Sequence, residues 1–213
     1  MVIAVDGPAG AGKSTVVKKI AQKLGIHYLD TGAMYRAFTL YVLKKKVPLN
    51  DKVKIKNLLN TFNLTVMDDT LCIRGEDVTK EIRSEEVTAH VSYISSLDFV
   101  RKKMVELQRE IGKNIDIIAE GRDIGTVVFT DTKYKFYLDA SVEERALRRL
   151  NDEKNQNQDR DIPVLIEKIK KRDKYDSTRE VSPLTRAPDA CYIDSTNMTI
   201  DEVCNFIIRK IKE

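Results

Sequence analysis

A chain of 213 residues suits one α/β domain, or one domain with insertions. Its 42% hydrophobic content can build a sizeable core. A net charge of +4, from 37 basic against 33 acidic residues, is too mild to argue for nucleic-acid binding, yet it allows a local basic cleft for a small phosphorylated ligand. No apolar stretch approaches the ~18 residues that span a membrane. Cys72, Cys191 and Cys204 lack metal-ligand spacing, so reduced thiols and a cytoplasmic location are expected.

Val2 to Asp6 is a short apolar run suited to a buried parallel strand. It leads into Gly7-Pro8-Ala9-Gly10-Ala11-Gly12-Lys13-Ser14, which fits the phosphate-binding loop pattern. Glycines there let backbone N–H groups turn toward an anion without a Cβ in the way. Lys13 can reach the β- and γ-phosphates of a nucleotide, and the Ser14 hydroxyl can sit on Mg²⁺. Val16, Val17, Ile20, Ala21 and Leu24 then recur at helical spacing, so strand, Gly-rich turn and helix come in the required order.

His27 to Leu29 is a brief second strand ending at Asp30-Thr31-Gly32, and a helix with Met34, Phe38, Tyr41 and Val42 on one face follows. Residues 51–60 form a further helical stretch. Residues 64–67 and 71–74 are strand-like runs joined by Asp68-Asp69-Thr70, which predicts an antiparallel hairpin. A hairpin does not belong in a βαβ alternation, so residues 62–90 are read as an insertion in a core of 1–61 and 91–213. Helical pattern runs through 87–112. Strands are expected at 115–119 and 135–139, the first leading into Glu120-Gly121-Arg122-Asp123. Ser141 and Glu144 form a capping-box signature. Residues 151–161 are strongly polar and cannot build core. Pro163 suits the first turn of a helix reaching about Lys174. A short strand at 190–193 and an amphipathic helix capped by Thr199 and Glu202 complete the chain.

This alternation predicts a parallel sheet covered by helices, with ligands bound outside the carboxyl ends of the strands. Arg36, Arg101, Arg122, Arg145, Arg149, Arg172 and Arg179 lie near predicted element ends or beside the polar stretch. Arginine's planar fork binds phosphate bidentately and stays charged. The polar stretch is readable as a mobile flap that brings arginines over the phosphates, or as a surface loop without a role.

The motifs at 6–15, Leu29 to Arg36, Gly121 to Phe129, Leu138 to Ser141 and Arg172 to Arg179 together resemble the nucleoside monophosphate kinases, most closely the bacterial cytidylate kinases. The resemblance covers essentially the whole chain. It implies a five-stranded parallel sheet of the P-loop type flanked by helices, a monophosphate-binding insertion and a lid at about 151–161. It implies transfer of phosphate from ATP, with Mg²⁺, to CMP or dCMP, by a monomer. By position, Gly7, Pro8, Ala9, Gly10, Ala11, Gly12, Lys13, Ser14, Thr15, Arg145 and Arg149 would meet ATP. Arg36, Arg122 and Arg179 would hold the acceptor phosphate, with Thr31 and Gly121 beside it. Ser92, Arg101 and Asp123 would read cytosine, and Arg172 and Asp176 the sugar. Lys13, Arg122, Arg149 and Arg179 would carry catalysis. Relatives commonly have Asp where this chain has Glu120, so that residue is left outside the expected site. A P-loop kinase for another small acceptor, and a slowly hydrolysing nucleotide switch, are the competing readings.

Overall fold

Valine and isoleucine crowd the first strand because both of its faces are covered: the last four residues of β1 (Val2–Asp6) are buried. The computed structural model describes residues 1–67, 70–154 and 161–213. Its larger sheet has five strands in the order β2 (His27–Asp30), β6 (Ile117–Gly121), β1, β7 (Tyr134–Asp139), β8 (Cys191–Asp194). β1 runs parallel to both neighbours, with Val2 opposite Ile117 and Ile3 opposite Tyr134, and β7 runs parallel to β8. The strand order reverses beside β1, which is where open α/β sheets form their ligand crevice.

The chain divides into two compact units, Met1–Tyr28 with Ile115–Glu213, and Leu29–Asn114. In the first, α1 (Lys13–Leu24) and α8 (Ile200–Lys212) share a core with the sheet built from Ile3, Val5, Val17, Ile20, Ile118, Leu138, Val203 and Ile207. The expected cap of α8 is present in both directions between Thr199 and Glu202. α6 (Val142–Lys154) and α7 (Ile162–Thr178) pack through Ala146, Leu150, Leu165 and Ile169. Ser141 Oγ accepts from the Glu144 amide as expected, whereas the Glu144 carboxylate accepts from Arg148 Nε. α6 continues through the first four residues of the polar stretch, and Asp161, its last, stands at the N-cap of α7; residues 155–160 of the expected lid lie outside the described residues. α7 runs four residues past the expected Lys174, because Asp176 on its last turn is buried and ion-paired.

In the second unit, α2 (Thr31–Lys44) is buried on eleven of its fourteen residues rather than on one face. α4 (Glu85–Ser96), α5 (Asp98–Gly112), the 3₁₀ turn Glu81–Arg83 and β4 (Thr70–Ile73) all pack against it. Phe62 closes on Phe38 and Tyr41, with ring centroids 5.1 and 5.6 Å away. A short α3 (Lys52–Leu58) is capped by Asp51. β3 (Leu64–Met67) and β4 form the expected antiparallel pair, and β5 (Glu76–Asp77) adds a third strand that two polar residues do not advertise. The helical pattern read through 87–112 is two helices, broken where Leu97 is extended and turns its side chain into the core.

Candidate active site

The turn from β1 to α1 holds because of its glycines. Gly7 has φ 148°, and a Cβ there would sit 2.0 Å from the carbonyl oxygen of Leu138 on β7. Gly12, at φ 84°, occupies the N-cap of α1 and offers no side chain to the first amides, which leaves them for an anion. Lys13 is 5% exposed and donates from Nζ to the carbonyls of Gly7 (2.8 Å) and Pro8 (2.7 Å). Two of the ammonium's three hydrogens therefore shape the loop, and the third is left for an anion. Burial, and then the neighbouring Arg122, push Lys13 down to about 7, against the pull of Glu120 and Asp6. A polyphosphate on the loop would restore its charge. Ser14 and Thr15 are exposed in the first turn of α1.

β6 ends at Gly121, opposite Asp6 of β1, so the next two residues, Arg122 and Asp123, leave the sheet beside the phosphate loop. Arginines from α7 and the segment after it meet them around Asp176, which is 4% exposed. Asp176 Oδ2 accepts from Arg122 Nε at 3.0 Å. Arg172 Nε lies 4.0 Å from the same oxygen, and Arg179 Nη1 is 3.9 Å from Oδ1. Arg179 also reaches Asp123 Oδ1 (3.8 Å from Nη2) and donates from Nε to the Ser182 carbonyl at 2.6 Å. Burial and the like charge of Arg122 lower Arg172 to about 10. Arg149, exposed on α6, adds to that repulsion. Cations held this close, in a partly desolvated place, favour an anionic ligand.

Arg36, Ser92, Arg101 and Thr31 belong to the second unit. Arg36, 8% exposed, donates from Nη1 to Thr88 Oγ1 (2.9 Å) and to the Ile82 carbonyl (3.2 Å). Arg101, 2% exposed, donates to the carbonyl of Ser95 at 3.0 Å and lies over the Tyr35 ring at 5.0 Å. Ser95 Oγ donates to the Ser92 carbonyl, so Arg101 is tied to the turn of α4 that carries Ser92. Thr31 is buried at the start of α2, whose N-cap Asp30 also pairs with Arg83 at 2.8 Å.

Four residues outside the expected set hold this site. Arg145, read from the sequence as an ATP contact, is 4% exposed and donates to the carbonyls of Ala140 and Ala9 and to Asp173 (2.6 Å). Asp173 is thus an unexpected member. So is Arg148, whose Nη1 donates to Ala11 of the phosphate loop (3.1 Å) and to Ser195 Oγ (3.1 Å), and whose Nη2 donates to the Ser195 carbonyl (2.7 Å). Glu120 is 5% exposed and accepts from Tyr28 Oη at 2.5 Å. Asp6, 4% exposed, accepts from the amides of Ile124 and Gly125. Only the tertiary fold reveals these partners, although Asp6 does stand directly before the loop. Arg148→Met is expected to weaken ATP binding by about tenfold, the worth of one charge-assisted hydrogen bond (~1.5 kcal/mol). Titration with a non-hydrolysable ATP analogue checks this, and unchanged affinity would remove Arg148 from the loop's support.

A phosphate loop at the carboxyl edge of a parallel sheet, with arginines gathered beside it, places the chain among the P-loop kinases. The family model described as cytidylate kinase matches residues 3–213. A cytidylate kinase from Acholeplasma laidlawii is 47% identical over 210 residues, covering 99% of this chain and 94% of its own. One from Desulforamulus reducens is 48% identical over 214 residues, covering 99% and 96%. The chain belongs to the cytidylate kinase family. The crystal structure of an uncharacterized protein from Eubacterium ventriosum superposes with a TM-score of 0.55 at 14% identity, over 100% of this chain and 99% of that one, a likeness of fold. No helix among the described residues is long and apolar enough to cross a membrane.

Proposed function

We propose that this chain transfers the γ-phosphoryl group of ATP to CMP and dCMP by in-line displacement, giving ADP and CDP or dCDP. The carrying observation is that the phosphate loop and the turn bearing Arg122 and Asp123 leave adjacent parallel strands, Asp6 opposite Gly121. Membership of the cytidylate kinase family supports CMP as the acceptor. An oxygen of the CMP phosphate attacks the γ-phosphorus, and the bond to the β–γ bridging oxygen breaks. The acceptor phosphate is already an anionic nucleophile, so no general base is needed, and catalysis is positioning with neutralisation of charge.

Lys13, with Arg122, Arg149 and Arg179, supplies that neutralisation. Gly7 to Thr15 cradle the ATP phosphates; Arg149 acts on ATP directly, and Arg145 through the loop carbonyl it holds. The exposed Ser14 hydroxyl is a hard oxygen donor in the first turn of α1, suited to Mg²⁺, whose remaining ligands would be phosphate oxygens and water. When bound, the ion would neutralise the β- and γ-oxygens. Arg36, Arg122 and Arg179 hold the acceptor phosphate, beside Thr31 and Gly121. Ser92, Arg101 and Asp123 read cytosine, and Arg172 and Asp176 the sugar. Residues 62–90 serve as the monophosphate-binding insertion. A monomer in the cytoplasm is the expected setting, and the three free cysteines fit a reducing compartment.

Cytosine offers an amine to a carboxylate, where uracil offers an oxygen that Asp123 would repel. An ADP-release assay across CMP, dCMP, UMP, AMP and dTMP should show CMP and dCMP far ahead. Comparable rates with all five, or none with CMP, would overturn the reading. Asp123→Asn should narrow the CMP-to-UMP ratio by about tenfold or more, since an amide can donate to uracil's oxygen. An unchanged ratio would take Asp123 out of base recognition.

A further inference from the structure

The last residue of β1 has a place the phosphoryl-transfer scheme does not use. Asp6 stands directly before Gly7, at the root of the phosphate loop, and is 4% exposed. Its two carboxylate oxygens reach the turn that follows β6. Oδ1 accepts from the amide of Ile124 at 2.7 Å and Oδ2 from the amide of Gly125 at 2.8 Å. Those are the two amides immediately after Asp123.

The turn they open is wound in π fashion. The amide of Val128 reaches back to the Asp123 carbonyl (3.1 Å) and that of Phe129 to Ile124 (2.7 Å), each five residues away. The first amides of any helical turn have no partner inside it. Here one carboxylate meets two of them in parallel, which fixes both the distance and the tilt of the turn. Gly125 is pressed against this arrangement: a Cβ there would meet the Lys135 side chain at 3.2 Å and Asp6 Oδ2 at 3.5 Å.

We propose that Asp6 is a positioning residue that holds the acceptor-reading turn at a fixed distance and angle from the phosphate loop, so that donor and acceptor meet in line. The proposal rests on the reading of Arg122 and Asp123 as acceptor contacts. Asp6 touches neither substrate. It acts through the backbone that carries Gly7 on one side and Arg122-Asp123 on the other. Misplacing reacting groups by about 1 Å costs on the order of a hundredfold in rate, so a link of two hydrogen bonds at this junction bears on turnover more than on either affinity. Burial raises the Asp6 carboxyl to about 6; the amides of Gly125 and Ile124 and the charge of Lys13 favour its ionised form, and Asp123 opposes it. Lys135, whose chain flanks the turn, has its ammonium on Asp189 at 2.7 Å.

The test begins with the wild-type chain, whose preference for CMP over UMP must first be present; its absence defeats the acceptor reading and not this link. Asp6→Asn keeps one acceptor oxygen and sets an amide donor against the other backbone N–H. It should bind an ATP analogue within about threefold of wild type, lose about 30- to 100-fold in kcat with CMP, and narrow the CMP-to-UMP ratio of kcat/KM at least about fivefold. Asp6→Glu restores two acceptor oxygens and should recover part of the kcat. A folded Asp6→Asn protein with wild-type kcat and ratio overturns the proposal. So does one that loses ATP affinity with the ratio intact, which confines Asp6 to the loop. Should neither variant fold, the wild-type amide signals of Ile124 and Gly125 decide: the link requires both to shift with an ATP analogue and, separately, with CMP. A response to one ligand only, or to neither, overturns it.

Discussion

Lys13→Met should lower turnover by about a thousandfold, the scale lost when a donor aimed at developing phosphoryl charge is removed. The fold should survive, because methionine keeps the aliphatic body and removes a cation the protein holds at a cost. Burial beside Arg122 lowers Lys13 to about 7 from 10.5. Between those values the unfolded chain binds more protons than the folded one, so this group makes stability rise with pH from about 7 to 10.5; below 7 both states are protonated and the full penalty remains. In the methionine variant that slope should vanish from thermal unfolding scans. Near pH 8 the wild-type loop should take up close to one proton on binding ATP, as the phosphates restore the ammonium. Calorimetry in two buffers of different ionisation enthalpy measures this uptake, and the variant should show none from this source. Turnover within tenfold of wild type would contradict the assignment of the loop.

Asp176→Ala should cost about 3–5 kcal/mol of stability, the range for removing one partner of a buried ion pair. The residue is 4% exposed, and it stands among Arg122, Arg172 and Arg179. Without it, three guanidinium groups repel one another in a poorly hydrated place. Added inorganic phosphate should therefore stabilise the variant more than the wild type, because the anion replaces the lost carboxylate. KM for CMP should also rise, since Arg122 loses the bond that orients it. Urea unfolding with and without phosphate gives both numbers, and a loss under about 1 kcal/mol would show that the arginines do not depend on Asp176.

The phosphate loop was legible from the sequence because its chemistry is local: the glycines, Lys13 and Ser14 lie within eight positions. The alternation of strands and helices was legible for the same reason. What escaped was set by partners distant in the chain. Arg148 reads as one more charge on a helix, until α6 carries it to Ala11 and Ser195. α2 shows one apolar face in the sequence, yet Thr39 and Arg36 are buried with the rest because the second unit surrounds the helix. The extended residue Leu97 looks in sequence like any apolar member of a helical run. Arg145 shows in the sequence only its residue type and its place after β7; its bonds to Ala9 and Asp173 join segments far apart in the chain.

The position of β1 in the sheet also governs the order in which the chain can assemble. Both neighbours of this strand come from more than a hundred residues later: Ile3 pairs with Ile118 on one side and Tyr134 on the other. The phosphate loop therefore leaves the ribosome well before both of its neighbours, and it has no frame until β6 and β7 have been made. Leu29–Asn114 is continuous and is complete before either strand. Synthesis thus completes that compact unit while the apolar strand β1 waits with both edges unpaired. Such long-range parallel pairing is slow and open to aggregation, so the interval between residues 6 and 139 is the exposed stage of this chain's synthesis.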